Sequence, residues 1–402
     1  MGPHLRSSRL VLASAPAPEG LISKAPDSPG AVGIEEQIAD IEAELAKTQY
    51  NKATQGHIGK LKAKLARLRE EKEKRASGGG GGQGGYDVKK SGMASVSLVG
   101  FPSVGKSTLL NKLTGTESEV AAYAFTTLTC IPGMMRHKHA DIQILDLPGL
   151  IRGAAGGKGR GREVMAVVRT TDLVLLVADA LNPEQIFVIV DELYDANIRL
   201  NRAPADIKLY TSRQRGGINV NFTVPQSKGL DEDVVKDMVK EYGIVNADVV
   251  VRQDATVDEL VDVLAGNRTY IQAMVALNKV DLQDVDYTRN AIKMFNDRGW
   301  PVVPIAAKKG LGLDALKDKI YDELRFIRVY MKPQGGEADM EEPLVIKSGS
   351  DVGMVCDALH RDFRLKFRYA IVTGPSAKFE NQIVGIEHKL LDGDILTLIL
   401  RR

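Results

Sequence analysis

Apolar positions change their period along this chain, and each change marks a boundary. From Ile34 the residues Ile38, Ile41 and Leu45 follow at steps of 4, 3 and 4, and Ile58, Leu61, Leu65 and Leu68 follow at 3, 4 and 3. Two narrow stripes joined by a polar connection from Tyr50 to Gly56 predict a helical hairpin over 34–76. The stretch SGGGGGQGG that follows opens a flexible linker, 77–92, expected to decouple the hairpin from the rest. From Ser95 the pattern turns to short continuous apolar runs at 96–99, 142–145, 173–178 and 273–277. Such runs, separated by helical patterns, predict buried parallel strands and an α/β unit over 93–330. Between about 199 and 266 an insertion interrupts it, first basic and glycine-bearing (Lys208, Arg213, Arg215, Gly216, Gly217), then acidic and helical. A Pro/Gly/Glu-rich segment after Tyr330 leads into a small final unit, 331–402. Its pattern predicts a strand at 344–347, a helix at 351–361, a strand at 367–373 and two more strands ending at Leu400. Residues 1–33, rich in Ala, Pro and Ser without an amphipathic period, are expected to form a disordered extension. Arg6 and Arg9, ahead of any acidic residue, resemble a transit peptide, for which an upstream start or an appended tail is the simpler account.

Composition narrows the class. The chain has 402 residues, 44% hydrophobic and 26% charged, enough for two or three domains of roughly 150 residues. No apolar run reaches the roughly 18 residues that a membrane span needs. Cys130 and Cys356 are the two cysteines, far apart and without ligand spacing, which excludes a disulfide scaffold or a structural zinc site and fits a reducing cytoplasm. The net charge of +2 hides an asymmetry. Lys52, Lys60, Lys62, Lys64, Arg67, Arg69, Lys72 and Lys74 outnumber Glu70, Glu71 and Glu73, while 231–262 is acidic. The basic end points to a polyanion, with a solvated helix face as the alternative.

Candidate chemistry lies at the ends of the predicted strands. Gly100-Phe101-Pro102-Ser103-Val104-Gly105-Lys106-Ser107 follows the first strand and matches GxxxxGK[ST]. Its glycines let successive backbone N–H groups wrap a phosphate, with Lys106 reaching the outer phosphates and Ser107 ligating Mg²⁺. The helix that starts there also aims its positive end at the phosphates. Asp146-Leu147-Pro148-Gly149 ends the next strand; Asp146 can hold Mg²⁺ through water and the Gly149 amide can sense a γ-phosphate, although DxPG alone is also a common turn. Asn278-Lys279-Val280-Asp281 closes a later strand. A carboxylate there can accept from guanine N1–H and the exocyclic amine together, a donor pair that adenine lacks, so the base is expected to be guanine.

In this order GFPSVGKS, FTT, DLPG and NKVD resemble the Obg-related group of translation-factor-like GTPases, and within it the developmentally regulated GTP-binding protein (DRG) family. FTTLTCIPG at 125–133, GKGRGREV at 157–164, NIRLN at 197–201 and AGNRTYI at 265–271 look like signatures of that family. The resemblance covers roughly 34–402. It implies an N-terminal helical hairpin, a P-loop GTPase domain with an inserted subdomain, and a C-terminal TGS domain of β-grasp fold.

Carried over residue by residue, the resemblance makes Thr126 or Thr127 the switch-one threonine that joins Mg²⁺ when the γ-phosphate is present. Ser103, Val104, Gly105 and Thr108 complete the phosphate loop, and Lys106, Thr126, Thr127 and Gly149 are the catalytic candidates. Metal ligands are Ser107, Thr127 and Asp146. Ala306-Ala307-Lys308 takes the place of the family's Ser-Ala-Lys, so weaker loop anchoring is expected without the serine. Leu150 stands where Ras-like enzymes carry the water-orienting glutamine, which implies slow unassisted hydrolysis completed by a partner, an ion or a side chain such as Arg152, Lys158 or Arg160. Ser103 replaces an asparagine that many relatives associate with a potassium ion, which argues against potassium dependence. Gly153 to Gly161 is read as a segment that orders with GTP and relaxes on hydrolysis.

The resemblance implies GTP and GDP as ligands, Mg²⁺ as cofactor, and ribosomes or ribosomal RNA as partner. It also implies a regulatory protein at the TGS unit or the hairpin, and neither membrane binding nor DNA specificity. A GTP-loaded scaffold with negligible turnover is the alternative function. Two patterns stay open. His137-Lys138-His139 is either a metal group or a turn. Phe363, Phe367 and Tyr369, interleaved with Arg361, Arg364, Lys366 and Arg368, either stack on RNA or fill a core.

Overall fold

The computed structural model describes residues 32–49, 51, 54–77, 92–115, 131–149, 160–212 and 216–401. Residues 1–31 of the extension expected over 1–33 lie outside these residues, as does most of the glycine-rich linker, while Val32 and Gly33 open the first helix. Cys130, the basic pair Arg213 and Arg215, and most of Gly153 to Gly161 also lie outside the described residues.

Two helices come first, α1 (Val32–Lys47) and α2 (Gln55–Ser77). Asn51 and Thr54 bond reciprocally in the connection, so the loop closes on itself before α2 starts. The predicted stripes supply buried Ile34, Ile41, Ile58 and Leu61.

A central α/β unit follows: β1 (Ala94–Val99), α3 (Lys106–Thr114), β2 (Ile131–His137), β3 (Ala140–Asp146), α4 (Arg160–Thr170), β4 (Leu173–Asp179), α5 (Ile186–Asp195) and β5 (Ile198–Leu200). The chain then makes the insertion, β6 (Ile207–Thr211), β7 (Ile218–Phe222), α6 (Glu232–Glu241), β8 (Ala247–Val251) and α7 (Val257–Ala265). It returns through β9 (Thr269–Asn278), α8 (Val285–Asp297), β10 (Val302–Pro304) and α9 (Leu313–Glu323). The central sheet runs β10-β9-β4-β1-β3-β2, with β5 also beside β9, and only the β2–β3 pair is antiparallel. Its strands are apolar on both faces because each face is covered. Helices α4, α5 and α8 pack on one side and α3 and α9 on the other. All the parallel strands end at the same edge, where the candidate motifs lie.

In the insertion, the sheet β6-β8-β7 buries one face under α6 and α7. Two of the family-like signatures explain how it is fastened. Arg199 of NIRLN and Arg268 of AGNRTYI both donate to Asp262 of α7 at 2.7 Å, and all three are less than a tenth exposed. Breaking such a group would leave an unpaired buried charge, so it fixes the orientation of the insertion on the β5/β9 edge.

The expectation that the linker decouples the hairpin does not hold. Helix α2 lies on α6 and α7, with Gly59 facing Val234 and Met238 and Ala63 wholly buried in the core of the insertion. The basic residues answer the acidic insertion: Lys60 pairs with Asp237 at 2.9 Å, and Lys62 donates to both oxygens of Asp258 at 2.7 and 2.9 Å. Arg67 donates to the Glu241 carbonyl, and Arg69 bridges Glu42 and Asp195. The charge asymmetry is thus largely neutralised within the molecule.

The final unit contains β11 (Phe326–Met331), β12 (Leu344–Lys347), α10 (Val352–Leu359), α11 (Phe363–Lys366), β13 (Phe367–Thr373), β14 (Gln382–Val384) and β15 (Asp394–Leu400). Its sheet order is β12-β11-β15-β13-β14, with β11 and β15 parallel, a β-grasp arrangement over α10. The sheet takes in β11, which precedes the expected boundary at 331. Phe363 and Phe367, each partly buried, pack against this core, which fits the core reading of that pattern. His137 closes β2 and bonds Asp318 at 2.9 Å, while Lys138 and His139 form the turn into β3. Among the described residues no group of three His, Cys, Asp or Glu side chains could hold a metal ion, and no helix is long and apolar enough to cross a membrane.

Candidate functional site

Four loops meet at the carboxyl ends of the parallel strands: Gly100 to Gly105 after β1, Leu147 to Gly149 after β3, Lys279 to Asp281 after β9, and Ile305 to Gly312 after β10. The first makes a sharp reversal into α3, with Ser103 at φ 64° and Gly105 at φ 99°. A Cβ on Gly105 would stand 2.5 Å from the Asn278 side-chain nitrogen, so this position needs glycine for both conformation and space. Gly149 is equally confined: a Cβ there would lie 2.8 Å from the Pro102 nitrogen. The DLPG turn therefore touches the loop after β1 directly.

Lys106 is 7% exposed, and its Nζ donates to the carbonyls of Gly100 and Phe101 at 3.1 and 3.0 Å. Burial lowers its pKa, and the nearby Asp146 carboxylate opposes that shift. Ser107 Oγ donates to Asp146 Oδ2 at 2.5 Å. Burial raises the Asp146 pKa, against the opposing effects of that hydrogen bond and of Lys106. The second carboxylate oxygen, Oδ1, is buried with no hydrogen-bond partner among the described residues. Orphaned oxygens of this kind are costly unless a ligand completes them. An oxygen-only pair, hydroxyl and carboxylate, fits a hard divalent cation such as Mg²⁺. Val104 is buried behind the loop, and Thr108 is exposed on the first turn of α3.

Asn278 ties the two halves of the cleft together. Its Nδ2 donates to the Val104 carbonyl at 2.8 Å, and its Oδ1 accepts from the Ala307 amide at 3.0 Å. One buried side chain thus joins the loop after β1 to the loop after β10. Lys279 turns the chain at φ 67° and pairs with Asp179 at 2.6 Å. The Asp281 carboxylate, 15% exposed, is held at 3.0 Å by Lys309. Ala306 is buried and makes a backbone bridge to Leu311, and Lys308 lies in the following 3-10 turn.

The structure therefore brings together Ser103 to Thr108, Asp146, Gly149, Asn278 to Asp281 and Ala306 to Lys308. Thr126, Thr127, Leu150, Arg152 and Lys158 lie outside the described residues, as does the side chain of Arg160. Asp179 and Lys309 were missed by sequence reasoning. Neither belongs to a motif of fixed spacing, and Lys309 meets Asp281 only because two separate loops converge.

Comparison with known proteins agrees with this arrangement. The family model described as a 50S ribosome-binding GTPase matches residues 95–209, a model of its C-terminal region matches 215–326, and the TGS domain model matches 327–400. An uncharacterised GTP-binding protein of Methanocaldococcus jannaschii is 53% identical over 92% of this chain and 94% of its own. The developmentally regulated GTP-binding protein 2 homolog of Dictyostelium discoideum is 45% identical over 92% of this chain and all of its own. The developmentally regulated GTP-binding protein 1 of Xenopus laevis is 47% identical over 90% of this chain and 98% of its own. With phosphate-loop, DLPG and NKVD segments converging on one sheet edge, and with identity of this level over nearly the whole length, the chain belongs to the developmentally regulated GTP-binding protein family of P-loop GTPases.

Proposed function

We propose that this protein binds GTP in the cleft at the carboxyl ends of its parallel strands and hydrolyses it to GDP and phosphate as a conformational switch on ribosomes. The observation that carries the reading is the Asn278 bridge, which makes a phosphate-type loop and a base-type loop into one continuous site. Backbone N–H groups of the loop after β1, with Lys106, take the phosphates, and Asp281 reads guanine N1–H and the exocyclic amine. Ser107 and the unpartnered oxygen of Asp146 would hold Mg²⁺, and Thr126 or Thr127 would complete its shell in the GTP state. Bound there, Mg²⁺ neutralises charge on the phosphate oxygens.

Leucine at 150 cannot hydrogen-bond the attacking water, so the unassisted rate is slow and a partner supplies the missing group. The ribosome is the proposed partner, on the strength of the family description. The contact falls elsewhere than on Lys60 and Lys62, which are already paired. Leu150 also favours a second reading, a GTP-loaded scaffold whose turnover plays no part. Steady-state GTP hydrolysis with and without ribosomes, in sodium and in potassium buffer, separates them. The switch reading expects a low basal rate that rises with ribosomes and is the same in both buffers. An equally low rate with ribosomes present would favour the scaffold.

A further inference from the structure

Asp281 does not stand alone. Its carboxylate sits at the mouth of the cleft, largely enclosed, with one oxygen, Oδ2, on the Lys309 ammonium at 3.0 Å. Lys309 ends the 3-10 turn Ala307–Lys309, the same turn whose first amide is held by Asn278. Gly310, at φ 75°, closes that turn, and Ala306 bonds Leu311 in both directions, so the root of Lys309 is fixed. A second ion pair, Asp179 with Lys279, braces the other side of the NKVD segment, where Lys279 holds a left-handed conformation. The base-type carboxylate thus lies between two loops, each pinned from outside the motif.

A carboxylate that reads two donors on one base edge must present its oxygens in a fixed plane. Free rotation about χ2 would smear that plane, because the terminal torsion of aspartate is broad. We propose that Lys309 is a positioning residue that sets the plane of the Asp281 carboxylate and thereby sharpens recognition of the guanine exocyclic amine. The inference rests on the reading of the cleft as a GTP site. Lys309 touches no substrate atom; it acts through Asp281, and its effect falls on discrimination more than on phosphate binding. Its charge and hydrogen bond both matter, so arginine can replace it and methionine, of similar length, cannot.

The test is equilibrium binding of GDP, IDP and ADP to the full chain and to K309M and K309R. IDP lacks the exocyclic amine and keeps N1–H, so the GDP-to-IDP affinity ratio reports the second donor alone. The expected result is a several-fold fall of that ratio in K309M and a ratio near wild type in K309R, with an unchanged melting temperature in both. An unchanged ratio in K309M, or a parallel loss for GDP and IDP, overturns the proposal while leaving the GTP site intact. A wild-type chain that does not prefer GDP to ADP overturns the reading of the site itself, and this inference with it.

Discussion

The cleft at the strand ends and the face between hairpin and insertion both use lysine and aspartate, but at Lys106 and Asp146 the cleft uses them differently from the face. Between α2 and the insertion, Lys60 meets Asp237 and Lys62 meets Asp258, half-exposed pairs that flank the apolar contact at Ala63. In the cleft, Lys106 is buried on two backbone carbonyls and Asp146 keeps one oxygen with no hydrogen-bond partner among the described residues. A run of bases signals a polyanion partner only when the same chain does not fold counter-charges onto it. A buried polar atom that the fold leaves unpartnered is the better pointer to a ligand.

The comparison is tested hardest at Lys106. Replacing it with alanine removes charge-assisted bonds to phosphate and should weaken GTP and GDP binding about 100-fold, as titration with a fluorescent nucleotide would read. Next is Gly105→Ala, which forces a side chain into a left-handed turn against Asn278. Strain of about 1–3 kcal/mol should lower nucleotide affinity by about 5- to 150-fold. The hairpin face should respond differently. Reversing Lys60 and Lys62 to glutamate should loosen the hairpin by about 1 kcal/mol, seen as faster hydrogen exchange over 55–77, with nucleotide affinity unchanged. Reversing Asp237 and Asp258 to lysine in the same chain should restore protection. If instead the lysine reversal abolished ribosome binding without loosening the hairpin, the contrast between the two regions would fail.

The smallest effect is the most diagnostic of the unpartnered oxygen. Burial raises the Asp146 pKa, so in the nucleotide-free protein the ionised carboxylate is disfavoured relative to the unfolded chain. The associated stability is fully present below the ordinary carboxylate range and is lost as pH rises through the raised value. Asp146→Asn should therefore raise the nucleotide-free melting temperature at neutral pH by ~2 °C, an advantage that disappears as the solution is acidified. The same variant should lose Mg²⁺-dependent strengthening of nucleotide binding.

Much of the fold was legible in the sequence because its chemistry demands fixed local spacing. A phosphate loop needs its glycines, lysine and serine within eight residues, and buried parallel strands announce themselves as unbroken apolar runs. The helical stripes of α1 and α2 were equally plain. Less could be seen where partners are far apart in the chain. Nothing in the spacing of Lys62 reveals that Asp258 will lie opposite, nor that Asn278 will reach Val104. The strands of the insertion are only five residues long and half-exposed, so its sheet hid behind composition. Phe363 and Phe367 alternate with bases in a pattern that suits both a core edge and a stacking surface, and only packing distinguishes them. Lys309 carried no signal because its role depends on two loops meeting.

The central claim is that one cleft reads guanine through Asp281 and phosphates through the loop after β1. Its most direct test is equilibrium binding of GDP, XDP and ADP to the wild-type chain and to Asp281→Asn. The wild type should prefer GDP over both, and the variant should lose GDP and gain XDP, because xanthine presents an acceptor where guanine presents its amine. A variant that still prefers GDP, or a wild type that binds ADP as well as GDP, would contradict the account.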